Sequence, residues 1–257
     1  MLSRIFELKR DQILVLIAKD FKLKYNSTAL GFLWSLLVPI FSSIIYYFVF
    51  GIMLRFNAQN YLLFLLSGTF LWQFFANVVM MNGGVMMRNA GLLKKTSFDK
   101  RLLIWGTFFT EGIHLLLTVP VLVGLMVFYK VTPDWLTFLP NLLVCLVLLA
   151  YFSIGLSYVY AAINIYFQDL ERIMMLVMQM WMFMTPIFIP ETSIPLKYHW
   201  IYKVNPVAGI VQIWRDVFYA PGFHPEKWWS LAVISSIMFL FGRWFFNRMQ
   251  NRFAEMM

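Results

Sequence analysis

Residues 26–54, NSTALGFLWSLLVPIFSSIIYYFVFGIML, carry no charged side chain over a length that exceeds one membrane crossing. A helix needs about 20 predominantly apolar residues to cross the hydrocarbon core of a bilayer. Five more stretches read the same way: 56–87, 102–129, 135–168, the shorter 173–190, and 228–246. Only Glu111 and His114 interrupt the third, and Arg243 lies near enough to the end of the sixth to snorkel. Composition agrees with this reading. The 257 residues are 61% hydrophobic and 13% charged, against about 45–50% and about 25% in soluble domains. The expected fold is a single all-α integral membrane domain over 1–257, with six transmembrane helices. The lone Cys145 excludes a disulfide scaffold and the aromatic content excludes disorder. The first apolar run follows six Lys/Arg residues and is too long for a signal-peptide core, so no cleavable leader is expected.

A net charge of +9 would point to nucleic acid in a soluble protein. Here its distribution carries topology. Six alternating crossings put 15 of the 21 Lys/Arg on one side, in the N-terminal arm, in 88–101, at Arg172 and in the C-terminal tail. The positive-inside rule then makes both termini cytoplasmic, and no nucleic-acid partner is expected.

Three connecting segments hold more than a loop requires. In the N-terminal arm (1–28), Leu14, Ile17, Ala18, Phe21 and Tyr25 recur at helical spacing, with Lys19, Asp20, Lys22 and Lys24 on other faces. This reads as an amphipathic helix in the cytoplasmic interface, serving either as a basic leader against lipid or as a docking surface. Segment 88–101, RNAGLLKKTSFDKR, sets Leu92, Leu93 and Phe98 among five cations. It is either an ordinary positive-inside loop or a short helix inserted into a partner's groove. Segment 190–227 contains Asn205-Pro206, a helix start with proline where its missing N–H costs nothing. The stripe that follows, Val207, Ile210, Val211, Trp214, Val217 and Phe218, ends at Ala220-Pro221-Gly222. Too short to span, it reads as an interfacial anchor or as a re-entrant element beside a pathway.

Chemistry-bearing motifs are sparse. The phosphate-cradling G-x-x-x-x-G-K-[ST] loop does not occur, and His114, His199 and His224 lie too far apart in sequence for a metal cluster. Asp169 and Glu171 flank the end of the fourth apolar stretch as a helix boundary. No catalytic residue, cofactor or metal is expected, and the chain is not read as an enzyme. Glu111 and His114 share one helical face and read either as a functional site in the membrane or as a pair bonding a neighbouring helix. Mid-span rings, with Tyr46, Phe48 and Trp181 foremost, are candidates for a weakly polar path that lets a carbohydrate slide. Each is also a candidate for plain packing. Tyr46 and Phe48 lie about 200° apart on an ideal helix, so both cannot face one centre.

The string KDFKLKYNSTALGFLWSLLVP (19–39) resembles the entry motif of ABC-2 type membrane subunits that export polysaccharides, on Asp20, Lys22, Tyr25, Ser27, Leu30, Gly31, Trp34 and Pro39. Lys19 stands where the family has Arg. Ser67-Gly68 with Trp72 and Phe74-Phe75, Leu92-Leu93-Lys94-Lys95 with Phe98, Phe167-Gln168-Asp169-Leu170, Pro186-Ile187, and Asn205-Pro206 with Arg215 extend the resemblance along nearly the whole chain. Asp99 replaces the proline that commonly follows the phenylalanine.

The resemblance implies six spans, an N-terminal interface helix, re-entrant helices between spans five and six, a homodimer, and two copies of a separate ATP-binding subunit. The cargo it implies is a lipid-linked polysaccharide, with O antigen ahead of capsule or teichoic acid, and the place is the inner membrane among its lipids. Leu92, Leu93, Lys94, Lys95 and Phe98 would dock the ATPase, and Asn205, Pro206 and Trp214 would form an external gate. The competing readings are a self-sufficient secondary carrier or channel using Glu111, and a membrane enzyme of lipid-linked sugar assembly.

Overall fold

The computed structural model of the chain describes residues 2–25, 30–55, 60–95, 98–218, 226–250 and 253. Residues 26–28 of the expected interface helix, the 220–222 stop and the side chains of Tyr25, Lys94 and Lys95 lie outside that description. Every regular element within it is helical. In order these are α1 (Leu2–Tyr25), α2 (Trp34–Tyr46), which runs on as π-helix over Tyr47–Met53, α3 (Tyr61–Gly83), and the short α4 (Val85–Arg88) and α5 (Ala90–Lys95). Then come α6 (Arg101–Phe128), α7 (Trp135–Asn164), α8 (Leu170–Phe183), α9 (His199–Val204), α10 (Pro206–Phe218) and α11 (Glu226–Met249).

Among the described residues, five helices are long and apolar enough to cross a bilayer: Trp34–Met53, Tyr61–Gly83, Arg101–Phe128, Trp135–Asn164 and Trp228–Met249. The stretch expected as the fifth span, 173–190, forms α8 and then turns. At 14 residues, α8 is only about 21 Å long. Pro186 and the 3₁₀ turn at Glu191–Ser193 follow it.

α3 is the central helix. Leu65, Phe70, Phe75, Val78 and Val79 are buried, and α6, α7, α10 and α2 pack around it. α7 and α11 make the most extensive pairing, and their backbones touch at Gly155 and Gly242. A side chain on Gly242 would strike the Gly155 carbonyl, so the pairing depends on hydrogen-sized residues there. A second apolar cluster, with Leu16, Met86, Leu102, Ile104, Tyr158, Phe246 and Phe253, gathers α1, α4 and the adjacent ends of α6, α7 and α11.

α1 lies against α6 on a face that shares only Ile17 and Phe21 with the expected stripe. Ile13, Leu16, Ile17 and Phe21 turn inward, whereas Leu14 and Ala18 are exposed. The periodic pattern located the helix but not its buried face, because apolar residues surround it: Leu14, Val15 and Leu23 are all exposed.

Candidate functional site

Glu111, near the middle of α6, is 1% exposed. Its two oxygens are taken by different helices: Lys24 of α1 donates to Oε1 at 2.9 Å and Asn77 of α3 donates to Oε2 at 2.9 Å. His114, one turn on, meets the Phe21 ring at 5.1 Å between centroids. Together they edge a cavity of about 340 Å³ between α1, α2, α3 and α6, which Trp34, Gln73 and Thr118 also line. The pairing of Glu111 is the hydrogen-bonding alternative of the sequence reading, reinforced by a cation that spacing along α6 gave no reason to name.

The 88–101 segment is tied to α1 from both ends. Lys19 donates to the Asn89 side chain, which itself donates to the Val85 carbonyl at 2.8 Å. Lys9 reaches Asp99 at 3.4 Å. Asp99 accepts from the Arg101 backbone at 3.2 Å and from its guanidinium at 2.8 and 3.0 Å, at the start of α6 where the resembled pattern commonly has proline. Burial alone would raise the Asp99 carboxyl, but the Arg101 bonds and the two neighbouring cations outweigh it and hold it below the ordinary value of 3.8. Asp20 shows the reverse: burial lifts its carboxyl above the ordinary value despite Lys19 and Arg88 nearby. Lys22 is exposed. Of the three expected anchors, Leu92 is exposed, whereas Leu93 and Phe98 are partly buried against the chain's own second cluster.

At the other end of the bundle, Asn205 caps α10. Its Oδ1 accepts from the Val207 backbone at 3.1 Å and from Trp181 Nε1 at 2.9 Å, while Nδ2 donates to the Met184 carbonyl at 3.1 Å and to Thr185 Oγ1 at 3.0 Å. Pro206 opens the helix beside it. Trp214 is 1% exposed and donates to the Ser67 carbonyl at 3.1 Å. Arg215 sits over the Phe64 ring, its Cζ 3.6 Å from the centroid, and donates to the carbonyls of Pro186, Phe64 and Ile187. Gly68 makes room for this: a Cβ there would lie 2.6 Å from the Arg215 guanidinium. Asn205, Trp214 and Arg215 thus clamp the turn after α8 onto α3 and α10.

The three path candidates are not brought together. Tyr46 packs edge-on against Phe188 at 4.6 Å, and Trp181 lies among Trp72, Phe75 and Phe152. Phe48 faces outward, 54% exposed, beside the exposed Phe41, Ile44 and Ile45. The pairings of Lys24, Asn77 and Asn89 escaped sequence reasoning because each acts through a partner 34 to 87 positions away. The available signal was Glu111 itself, since a carboxylate inside a span requires a cation or donors from another helix.

This architecture defines a polytopic helical membrane protein whose polar groups tie helices together around a cavity and a clamped turn. The ABC-2 type transporter family matches residues 11–219, and the chain belongs to that family. Relatives include two proteins named O-antigen export system permease protein RfbA from Klebsiella pneumoniae. They are 33% and 34% identical over 96% of this chain and 95% of their own length. Another of that name, from Myxococcus xanthus, is 26% identical over the same shares. The polysialic acid transport protein KpsM of Escherichia coli is 23% identical over 86% of each chain.

Proposed function

We propose that the chain is the membrane-spanning subunit of an ABC exporter that carries a lipid-linked polysaccharide, O antigen by preference, across the inner membrane. The similarity to O-antigen export permeases over 96% of the chain carries this reading. It works as a homodimer with two copies of a separate ATP-binding subunit. α8 and the turn after it complete a sixth crossing, α9 and α10 return into the membrane from the outside, and both termini are cytoplasmic.

The ATP-binding subunit docks on α5, with Leu92 as its principal apolar contact and Lys94 and Lys95 beside it. Phe98 and Leu93 hold the segment to the bundle. Movement of α5 reaches α1 through Lys19–Asn89 and Lys9–Asp99, and from α1 reaches the cavity through Lys24–Glu111. Phe48 and the exposed apolar faces of α2 and α8 line the conduit between the two copies. Tyr46 and Trp181 support it from behind.

Deleting the chain's gene in its own host tests the reading. Surface O polysaccharide should disappear while lipid-linked polymer accumulates inside the cell, and a plasmid copy should reverse both. Normal surface polymer in the deletion strain would overturn it.

A further inference from the structure

A second, larger cavity of about 1100 Å³ opens between α6 and α7 on the outside of the bundle, closed at one end by α1 and α11. Its walls are apolar over most of their length, with Trp105, Phe109, Ile113, Leu116, Val147 and Tyr151 among them. Its closed end is cationic: Lys9, Arg10, Arg101 and Arg243 all line it. Asp99 offsets Arg101 and Lys9, and Asp11 offsets Arg10. Arg243 is exposed and has no acidic partner within salt-bridge distance among the described residues. The end therefore keeps a net positive charge.

The dimensions fit one leaflet. From Arg101 to Leu116 the α6 wall rises about 22 Å, and half of a hydrocarbon core is about 15 Å with the headgroup layer beyond it. Gly112 faces the opening, and a Cβ placed on it would meet nothing within 4 Å. Basic pockets between transmembrane helices select lipid phosphates, because the charge lies at headgroup depth while the chains keep their apolar surroundings.

We propose that this groove retains one anionic glycerophospholipid per chain, its phosphate at Arg243, Arg10 and Lys9 and its acyl chains along the α6–α7 cleft. A bound lipid there bridges α1 to α6, α7 and α11 and fills a gap that side chains leave. It goes beyond the export reading and rests on the fold alone. The occupant is a membrane phospholipid because the groove is open sideways along its apolar length and carries charge at one end only.

The test is lipid analysis of the full-length chain, purified with its partner subunit in mild detergent, by native mass spectrometry and by extraction. The expected result is one phosphatidylglycerol-class lipid per chain, enriched at least fivefold over its share of the membrane. Gly112→Phe, which fills the cleft without altering charge, and the double variant Arg10→Gln/Arg243→Gln should each lower retention at least fivefold. Circular dichroism and elution volume should stay unchanged. If Gly112→Phe does not fold, Gly112→Leu with the arginine variant decides. Retention of lipid in membrane proportion, retention unchanged by the variants, or recovery of a polyprenyl carrier in place of the phospholipid would each overturn the proposal.

Discussion

A carboxylate 1% exposed inside a bundle is tolerated only when its charge is compensated, and Glu111 gains that from Lys24 on one oxygen and Asn77 on the other. The two partners are not equivalent. Lys24 keeps 32% of its side chain exposed and can return to water, whereas Glu111 cannot. Removing the cation leaves a buried carboxylate with Asn77 as its remaining donor, and because Lys24 is partly solvated the loss falls below the about 3–5 kcal/mol of a fully buried pair. Replacing the acid by its amide leaves an acceptor for Asn77 and costs less. Lys24→Met should therefore lower the melting temperature in detergent well below that of Glu111→Gln, and Lys24→Met/Glu111→Gln should recover part of the loss. Equal losses that simply add in the double variant would show that the two residues do not act as a pair. Arg215 follows the same logic with carbonyls in place of a carboxylate. Its planar fork reaches two backbone oxygens of the turn after α8 and a third, that of Phe64, in α3, which a lysine ammonium on the Phe64 ring would not match.

Among the elements, α5 is short and lies at the α1 end of the bundle, with Leu92 outward and Leu93 inward. Because Phe98 also packs into the chain's own cluster, Phe98→Asp confounds docking with folding. Leu92→Asp is the cleaner probe. It should leave the chain inserted and folded, abolish co-purification of the ATP-binding subunit, and lower coupled ATP hydrolysis at least tenfold. Unchanged co-purification would remove α5 from the docking surface. The placement of α2, α3, α6, α7 and α11 was legible in the sequence, because runs without charge are a strong signal and bilayer thickness sets a fixed length. The packing of α10 was not. Its apolar stripe fits a membrane surface as well as a bundle interior, and its burial in the bundle shows only in the partners of Asn205, Trp214 and Arg215. The face of α1 was illegible for a related reason: exposed leucines are ordinary on a helix that meets lipid.

At the scale of the whole molecule, α6 carries most of the account. One of its sides holds the Glu111 cavity and another forms a wall of the cationic-ended cleft, so α1 rests on α6 between two features that answer to different neighbours. In the proposed mechanism the cavity lies along the route from α5 through Lys24–Glu111, whereas the cleft is the proposed lipid groove. Neither contains a group of three or more His, Cys, Asp or Glu poised for a metal among the described residues. In the exporter proposed above, the energy for export comes from the ATP-binding subunit. The most direct measurement places the chain and its ATP-binding subunit in sealed vesicles with lipid-linked O polysaccharide on the ATP-accessible face. The polymer is then followed as it becomes protected from an added glycosidase. Protection that grows with ATP, and is absent without the nucleotide or without the ATP-binding subunit, is the predicted result. Protection that develops in the chain alone, with no ATP, would contradict the account and identify a self-sufficient carrier.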